Sequence, residues 1–254
     1  SKDDNRFLEF VREGIQLDDS GNIEIPLPFK KDQPVLPENR QAVFVRQCSI
    51  LKRLRNSPTK LEECVARMQK NIDAHHVEMV PCNEQKPIIP GRAWWIPVFP
   101  VTHPTKGKVR LVFDSSATFH GSSLNKELLQ GPDINNGLRT VLLRFREGDV
   151  GYTADVEAMY HSFRLMKEDR DFARFYWFNE NDPEQEVVQY RALVHVFGNT
   201  SSPSLANVGL RFAVSHPDVR PAPRALNFIF ENFFDFELVL FPTIEKYHFL
   251  HNSS

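Results

Sequence analysis

Residues 151–163 read GYTADVEAMYHSF. A run of strand-forming residues leads to Asp155, with Glu157 two positions on and Tyr160 five positions on. Two readings compete. Magnesium takes hard oxygen ligands, commonly one or two carboxylates plus substrate phosphates. A strand continuing past Asp155 would put Asp155 and Glu157 on one face, as a carboxylate pair. Alternatively, Asp155 ends the strand and caps an ordinary turn. Spacing alone favours the cap.

The segments around this stretch are mixed. Upstream, 124–149 reads as a short helix, a break at Gly131-Pro132 and an amphipathic helix whose apolar face is Leu138, Val141, Leu142 and Phe145. Before it, 93–101 and 108–113 read as two strands joined by a His-Pro-Thr-Lys-Gly turn. Residues 79–92 have linker composition. Two helices precede them. The first places Val43, Val45, Ile50, Leu51 and Leu54 toward one side and Arg46, Lys52, Arg53 and Arg55 toward the other. That basic face is either solvated or a contact for nucleic acid. The second opens on Pro58, which suits a first helical turn, and carries Leu61, Cys64, Val65 and Met68 at helical spacing. Residues 1–35 read as an extended arm with one short strand, because Pro34 and Pro37 oppose a helix. Downstream, 172–178 and 186–196 read as antiparallel strands across an Asn-Asp-Pro turn. Residues 198–214 read as a loop and a helix, with Ser202 as N-cap and Pro203 first in the helix. Strands and helices without regular βαβ alternation indicate an α+β fold.

Composition sets bounds on function. Of 254 residues, 41% are hydrophobic, enough for a core. A formal net charge of -2 argues against a uniformly basic nucleic-acid coat but leaves room for a local basic groove. Cys48, Cys64 and Cys82 have neither Cys-x-x-Cys nor finger spacing, which disfavours a zinc site or a disulfide framework. No apolar run approaches a membrane span, and the first residues do not read as a signal peptide, so an intracellular, cytoplasmic setting is expected. Without an initiator Met, the chain is expected to be a fragment or a processed piece.

Three blocks bring in a resemblance: KVRLVFDSSATFHGSSLNKELLQGPDINNGL at 108–138, LRFREGDVGYTADVEAMYHSFRLMKEDRDFARFYWF at 143–178, and VVQYRALVHVFGNTSSPSLA at 187–206. In order and spacing they resemble the reverse transcriptase region of long-terminal-repeat retroelements, most closely the BEL/Pao group. GNIEIPLPF at 21–29 and LKRLRNSPTKLEECVARMQ at 51–69 extend the similarity, which covers about residues 7–232. The resemblance implies the fingers and part of the palm of a right-hand polymerase with a helical N-terminal region. Its divisions are an N-terminal arm at 1–35, a helical region and linker at 36–90, a fingers-like part at 91–150, a partial palm at 151–232 and a divergent tail at 233–254.

The resemblance also implies roles. Asp155 matches the first polymerase aspartate, a ligand of both magnesium ions, with the Val156 carbonyl as a further contact. Tyr160 matches the aromatic beneath the incoming sugar. Arg110, with Lys108 near it, matches the arginine that holds the triphosphate. Phe197 and Gly198 match the loop that packs against template base and nucleotide. Glu157 is not a metal ligand in this family, where the strand turns directly after the aspartate. The implied partners are an RNA/DNA primer-template and a deoxynucleotide.

The similarity stops after Asn232. The family's second motif, an aromatic, any residue, then two aspartates on a tight hairpin, is expected near 233–237. Without a gap the two acids fall on Phe236 and Glu237; with one residue deleted they fall on Asp235 and Phe236. Neither gives an aspartate pair, and the run 233–241 lacks a glycine for a tight turn. The thumb, connection and ribonuclease H portions do not follow. We therefore expect no polymerase activity. One alternative is a non-catalytic nucleic-acid-binding or structural remnant of a retroelement. Another is an aspartic-type peptidase, because VFDSSA at 112–117 resembles that pattern. Ser116 replaces the glycine of the peptidase turn, and Arg110 and the downstream Ser-Leu-Asn fit the polymerase better.

Overall fold

The computed structural model describes residues 1–32, 34–86, 89–102, 107, 109–146, 152–217, 230, 233–234 and 237–240. The elements in chain order begin with α1 (Lys2–Gly14), β1 (Gln16–Leu17), β2 (Ile23–Ile25), α2 (Arg40–Arg55), α3 (Pro58–Asp73) and β3 (Val77–Met79). Next come β4 (Val98–Thr102), β5 (Val109–Phe113), α4 (Leu124–Glu127), α5 (Leu138–Arg144) and β6 (Tyr152–Asp155). The last are β7 (Arg164–Leu165), β8 (Arg174–Phe178), β9 (Val187–Ala192), α6 (Ser202–Ser215), β10 (Phe233–Phe234) and β11 (Glu237–Leu240). The class is mixed α and β. The chain forms two compact units, Ser1–Pro132 with Tyr160–Gly209, and Asp133–Met159 with Leu210–Ser254.

In the first unit, the antiparallel sheet β3-β9-β8 carries the core. All five residues of β8 are buried. Phe175, Trp177 and Phe178 join Trp94, Phe172, Leu27 and Met68 in one apolar cluster. Each such side chain removed from water stabilises the fold by about 1.5–3 kcal/mol. Arg174 is buried among them because every donor is used. Its guanidinium donates to Asp171 Oδ1 at 2.8 and 3.0 Å, to the carbonyls of Glu84 and Gln85 at 2.7 and 2.9 Å, and to Gln189 Oε1 at 3.3 Å. It also lies 5.6 Å from the centre of the Trp95 ring.

The helices follow the hydrophobic period with two corrections. Residues 2–14, read from the sequence as part of an extended arm, form α1. The distant Pro34 and Pro37 constrain only their own neighbours, whereas Ser1 and Asp4 close a capping box and Phe7 and Val11, one turn apart, are buried. In α2 the buried residues are Val43, Gln47, Leu51 and Leu54, while Val45 stays exposed. Gln47 takes the inward position because its amide meets both backbone groups of Val98, donating to the carbonyl at 2.8 Å and accepting from the N–H at 3.0 Å. A buried amide with both ends satisfied costs little. In α3, Cys64 and Met68 are buried as the spacing predicts.

The strand expected at 93–101 divides. Residues 98–102 pair with β5 in an antiparallel hairpin. The preceding stretch is held one residue at a time: Trp94 N–H to the Asp171 carbonyl at 3.0 Å, Ile96 N–H to the Arg174 carbonyl at 2.7 Å, and Trp95 to the Asn39 side chain at 2.8 and 3.0 Å. The two strands expected at 172–178 and 186–196 pair antiparallel, from Arg174↔Arg191 to Phe178↔Val187.

The second unit holds α5 and the antiparallel sheet β10-β11-β6. Of the apolar face expected on α5, Val141 is buried, while Leu138 and Leu142 are about half exposed at 48% and 50%. The absence of glycine at 233–241 predicts no tight hairpin, yet β10 and β11 pair through Phe233↔Leu238 and Phe234↔Glu237. Phe, Leu and Val favour a pleated surface, and β6 supplies a ladder for β11, so pairing supplies what the turn lacks. Residues 235–236 and 241–254 lie outside the described residues. Among the described residues, no helix is long and apolar enough to cross a membrane.

Candidate functional site

Asp155 is the last residue of β6. The chain leaves the ladder at Val156 and turns through Glu157 and Ala158, the latter at φ +48°. Glu157 therefore lies exposed on a turn rather than on the strand, and the i, i+2 carboxylate pair does not form. A different acid stands at the register position across from Asp155. The register of β11 against β6 runs Glu237↔Asp155, Leu238↔Ala154, Val239↔Thr153 and Leu240↔Tyr152. Directly opposed residues of an antiparallel pair share one face of the sheet, with neighbouring Cβ positions about 4.5–5.5 Å apart. The sheet thus sets Asp155 and Glu237 at one register position. The gap-free spacing had pointed to Glu237 as the second of the two expected acids, but spacing could not tell that it would stand across from Asp155.

In the first unit, three of the sequence blocks meet at the loop 197–199. Gly198 sits so close to β5 that a Cβ there would overlap the Phe113 carbonyl oxygen. Ser115 Oγ donates to Asn199 Oδ1 at 2.6 Å. Asn125 ties the remaining pieces: its Nδ2 donates to Ser116 Oγ at 2.8 Å and to the Gly198 carbonyl at 3.0 Å, and its Oδ1 accepts from Thr200 N–H at 2.9 Å. Ser202 opens α6 rather than preceding it, and its hydroxyl donates to the Val196 carbonyl at 2.7 Å. The loop is pinned from both sides, so the position of Phe197 is set by backbone contacts.

Phe197 projects outward, 63% exposed. Beneath it lies Tyr160, buried, with ring centres 4.4 Å apart. His161 meets the Phe197 ring edge-on at 5.3 Å and in turn lies 4.7 Å from the His76 ring. Burial, with His76 adding to it, pushes the His161 imidazole down to about 4, so both rings pack as neutral groups near pH 7. Of the expected site residues, Tyr160, Phe197 and Gly198 are thus brought together. Arg110 is exposed on β5, opposite Val101, and makes no hydrogen bond or ion pair among the described residues. Lys108 lies outside the described residues. Asp114 of the VFDSSA turn is held in an ion pair with Arg46 at 3.1 Å. Among the described residues, no group of three His, Cys, Asp or Glu side chains gathers as a metal site.

No protein-family model matches the chain, and no curated protein matches it. Among solved structures, it is similar to a foamy viral protease-reverse transcriptase in complex with double-stranded DNA. The TM-score is 0.47 and the identity 15%, over 70% of this chain. The match covers 26% of the viral chain, so the present chain spans about a quarter of that protein's length.

Proposed function

We propose that the chain is a piece of a reverse-transcriptase-type polymerase of the BEL/Pao kind, which holds nucleic acid and nucleotide but does not extend a primer. The observation that carries this reading is the sheet β10-β11-β6, in which an aspartate ends one strand and a hairpin lies against it. A phosphoryl-transfer site needs carboxylates from separate strands, and the register that pairs an acid of β11 with Asp155 supports this reading.

The residue types suit one magnesium ion. Asp155 and Glu237 are acids at one register position of the ladder, and Val156 follows Asp155 with a backbone carbonyl; carboxylate and carbonyl oxygens are hard ligands of the kind magnesium takes. When bound, the ion would neutralise charge on substrate phosphate oxygens. The donors fall short of a two-metal set. The pair of adjacent aspartates is absent, and Glu237 supplies one acid in place of two. This supports binding without turnover.

The first unit has candidate holding groups of its own. Arg110 is exposed and makes no hydrogen bond or ion pair among the described residues, which suits a group that takes a triphosphate through charge-assisted hydrogen bonds. The outward face of Phe197 offers a stacking surface for a base, and Tyr160 beneath it backs that ring and screens the sugar. Gly198 keeps the loop close to β5. The test is primer extension on an RNA–DNA primer-template with magnesium or manganese, alongside a salt titration of binding. We expect steeply salt-dependent binding and no extension. Template-dependent extension that Asp155→Ala abolishes would overturn the inactive reading, and salt-independent or absent binding would overturn the nucleic-acid reading.

A further inference from the structure

The start of α2 and the β8-β9 pair enclose a cavity of about 510 Å³ in the first unit. A cleft of that size takes up a small organic molecule. It shares no residue with the loop at 197–199 or with β6. One wall holds Glu38, Arg40 and Phe44; the other holds Tyr176 of β8, Gln189 of β9 and Glu186 just before β9. The Phe44 and Tyr176 rings meet edge-on with centres 5.1 Å apart, so the two walls join there.

The buried side of the cavity presents donors. Gln189 is buried, and its amide has one orientation. Its Oε1 accepts from Trp95 Nε1 at 3.1 Å and from Arg174 Nη1 at 3.3 Å, both of which can only donate. Its Nε2 is left with a long 3.4 Å contact to the Gln85 carbonyl, although an amide nitrogen carries two hydrogens. Tyr176 is buried too, and burial raises its phenol, which keeps the hydroxyl protonated at neutral pH. Arg40 lies beside that hydroxyl and brings a positive charge.

The open side presents acids. Glu38 and Glu186 are exposed, one on each wall, and their carboxylates make no hydrogen bond or ion pair among the described residues. Charge then selects the ligand. A simple anion would suit Arg40 but meet both acids. A simple cation would suit the acids but meet Arg40. A molecule with a carboxylate at its inner end and an ammonium at its outer end satisfies all three. In a single amino acid the two charges share one carbon and do not reach both the buried and the open side. A short peptide separates them by a peptide unit, whose carbonyl accepts from Gln189. Phe44, Val187 and Val188 are half-buried and give its side chains apolar surface.

We propose that this cavity is a binding site for a short peptide with free termini, its carboxylate toward Arg40 and Tyr176 and its ammonium toward Glu38 and Glu186. The inference goes beyond the polymerase reading and does not depend on it.

The test is isothermal titration calorimetry of the whole chain with alanyl-phenylalanine, its N-acetyl form and its C-amide form. We expect saturable binding of the free dipeptide. Amidation should weaken it about tenfold by removing a charge-assisted bond to a half-buried guanidinium, and acetylation about threefold, because the acids are exposed. Arg40→Gln should weaken the free dipeptide about tenfold and leave the amide unchanged, while Glu186→Gln should weaken it about twofold and leave the acetyl form unchanged. Glu184→Gln, which removes an exposed acid outside the cavity, should change nothing. All three variants should keep the wild-type circular dichroism spectrum. If Arg40→Gln does not fold, the amide on the wild type and the Glu186→Gln variant still decide. No saturable binding of the free dipeptide up to its solubility limit, equal binding of the three forms, or an equal loss in Glu184→Gln overturns the proposal. An acetyl form as tight as the free dipeptide, with the amide still weakened, identifies the C-terminus of a longer chain as occupant and also overturns it.

Discussion

Glu237 of β11 stands directly across the antiparallel ladder from Asp155 of β6. An acid far away in the chain occupies the cross-strand register position of Asp155. Ladder pairing, rather than motif identity, places it there.

That pairing sets the first prediction. Asp155→Asn and Glu237→Gln should each weaken magnesium binding, read by isothermal titration calorimetry, by about tenfold, as removal of one of two anionic ligands does. Glu157→Gln should leave it unchanged, because Glu157 lies on the turn beyond the strand. Equal losses in all three variants would instead point to bulk charge as the cause.

The second concerns Gly198. An alanine Cβ would run into the Phe113 carbonyl oxygen, which is backbone and cannot swing aside. Gly198→Ala should cost about 1–3 kcal/mol, the usual range for overpacking a tight site, in urea denaturation. A loss of less than a few tenths of a kcal/mol would mean that the loop yields.

The third separates stacking from stability at Phe197. Most of this ring is in solvent, so Phe197→Ala should change stability by less than about 1 kcal/mol. Single-strand binding should fall about fivefold or more, because a base–aromatic stack is worth about 1–3 kcal/mol. Unchanged binding would remove Phe197 from the proposed contact surface.

The fourth is pH dependence. His195 is fully buried, its Nε2–H donates to the Ile25 carbonyl at 3.0 Å, and its Nδ1 has no hydrogen-bond partner among the described residues. Burial pushes its imidazole down to about 4. The fold therefore holds it neutral; this contribution is full above about pH 6.5 and is lost as pH falls toward 4. His195→Gln should remove about 3 kcal/mol of that acid sensitivity.

Asp169 runs the other way. Burial raises its carboxyl to about 6, although it accepts from Leu27 N–H at 2.7 Å. A protonated Asp169 suits the fold, so its contribution is present below about pH 3.8 and is lost as pH rises through 6. Asp169→Asn keeps an acceptor for Leu27 and should gain about 2–3 kcal/mol relative to wild type above pH 7, with no gain at pH 4, in denaturation at both pH values.

Much of this was legible in the residues. Pro58 marks the start of α3, and the spacing of Cys64 and Met68 marks its buried face. The two strands around the Asn-Asp-Pro turn pair as their composition implies. One of the two readings of Asp155 ended the strand there, and β6 does end at Asp155, so Glu157 lies on the turn beyond the sheet. What misled were features whose meaning depends on remote partners. Gln47 looks like a surface residue until Val98 meets its amide, and Val45 looks apolar enough for the core until the helix turns it outward. Pro34 and Pro37 said nothing about residues 2–14.

The sequence by itself determined part of the local order: where α3 starts, that the strands at 174–178 and 187–192 are hairpin neighbours, and that an acid stands at 155 after a strand-forming run. Those properties arise from period, capping and turn chemistry within a few residues. The tertiary structure decided the register. Whether Glu237 lies opposite Asp155 and whether Gly198 touches β5 are set by packing between segments far apart in the chain. A one-residue slip of β11 along β6 would turn its side chains to the opposite face of the sheet without altering a single local signal.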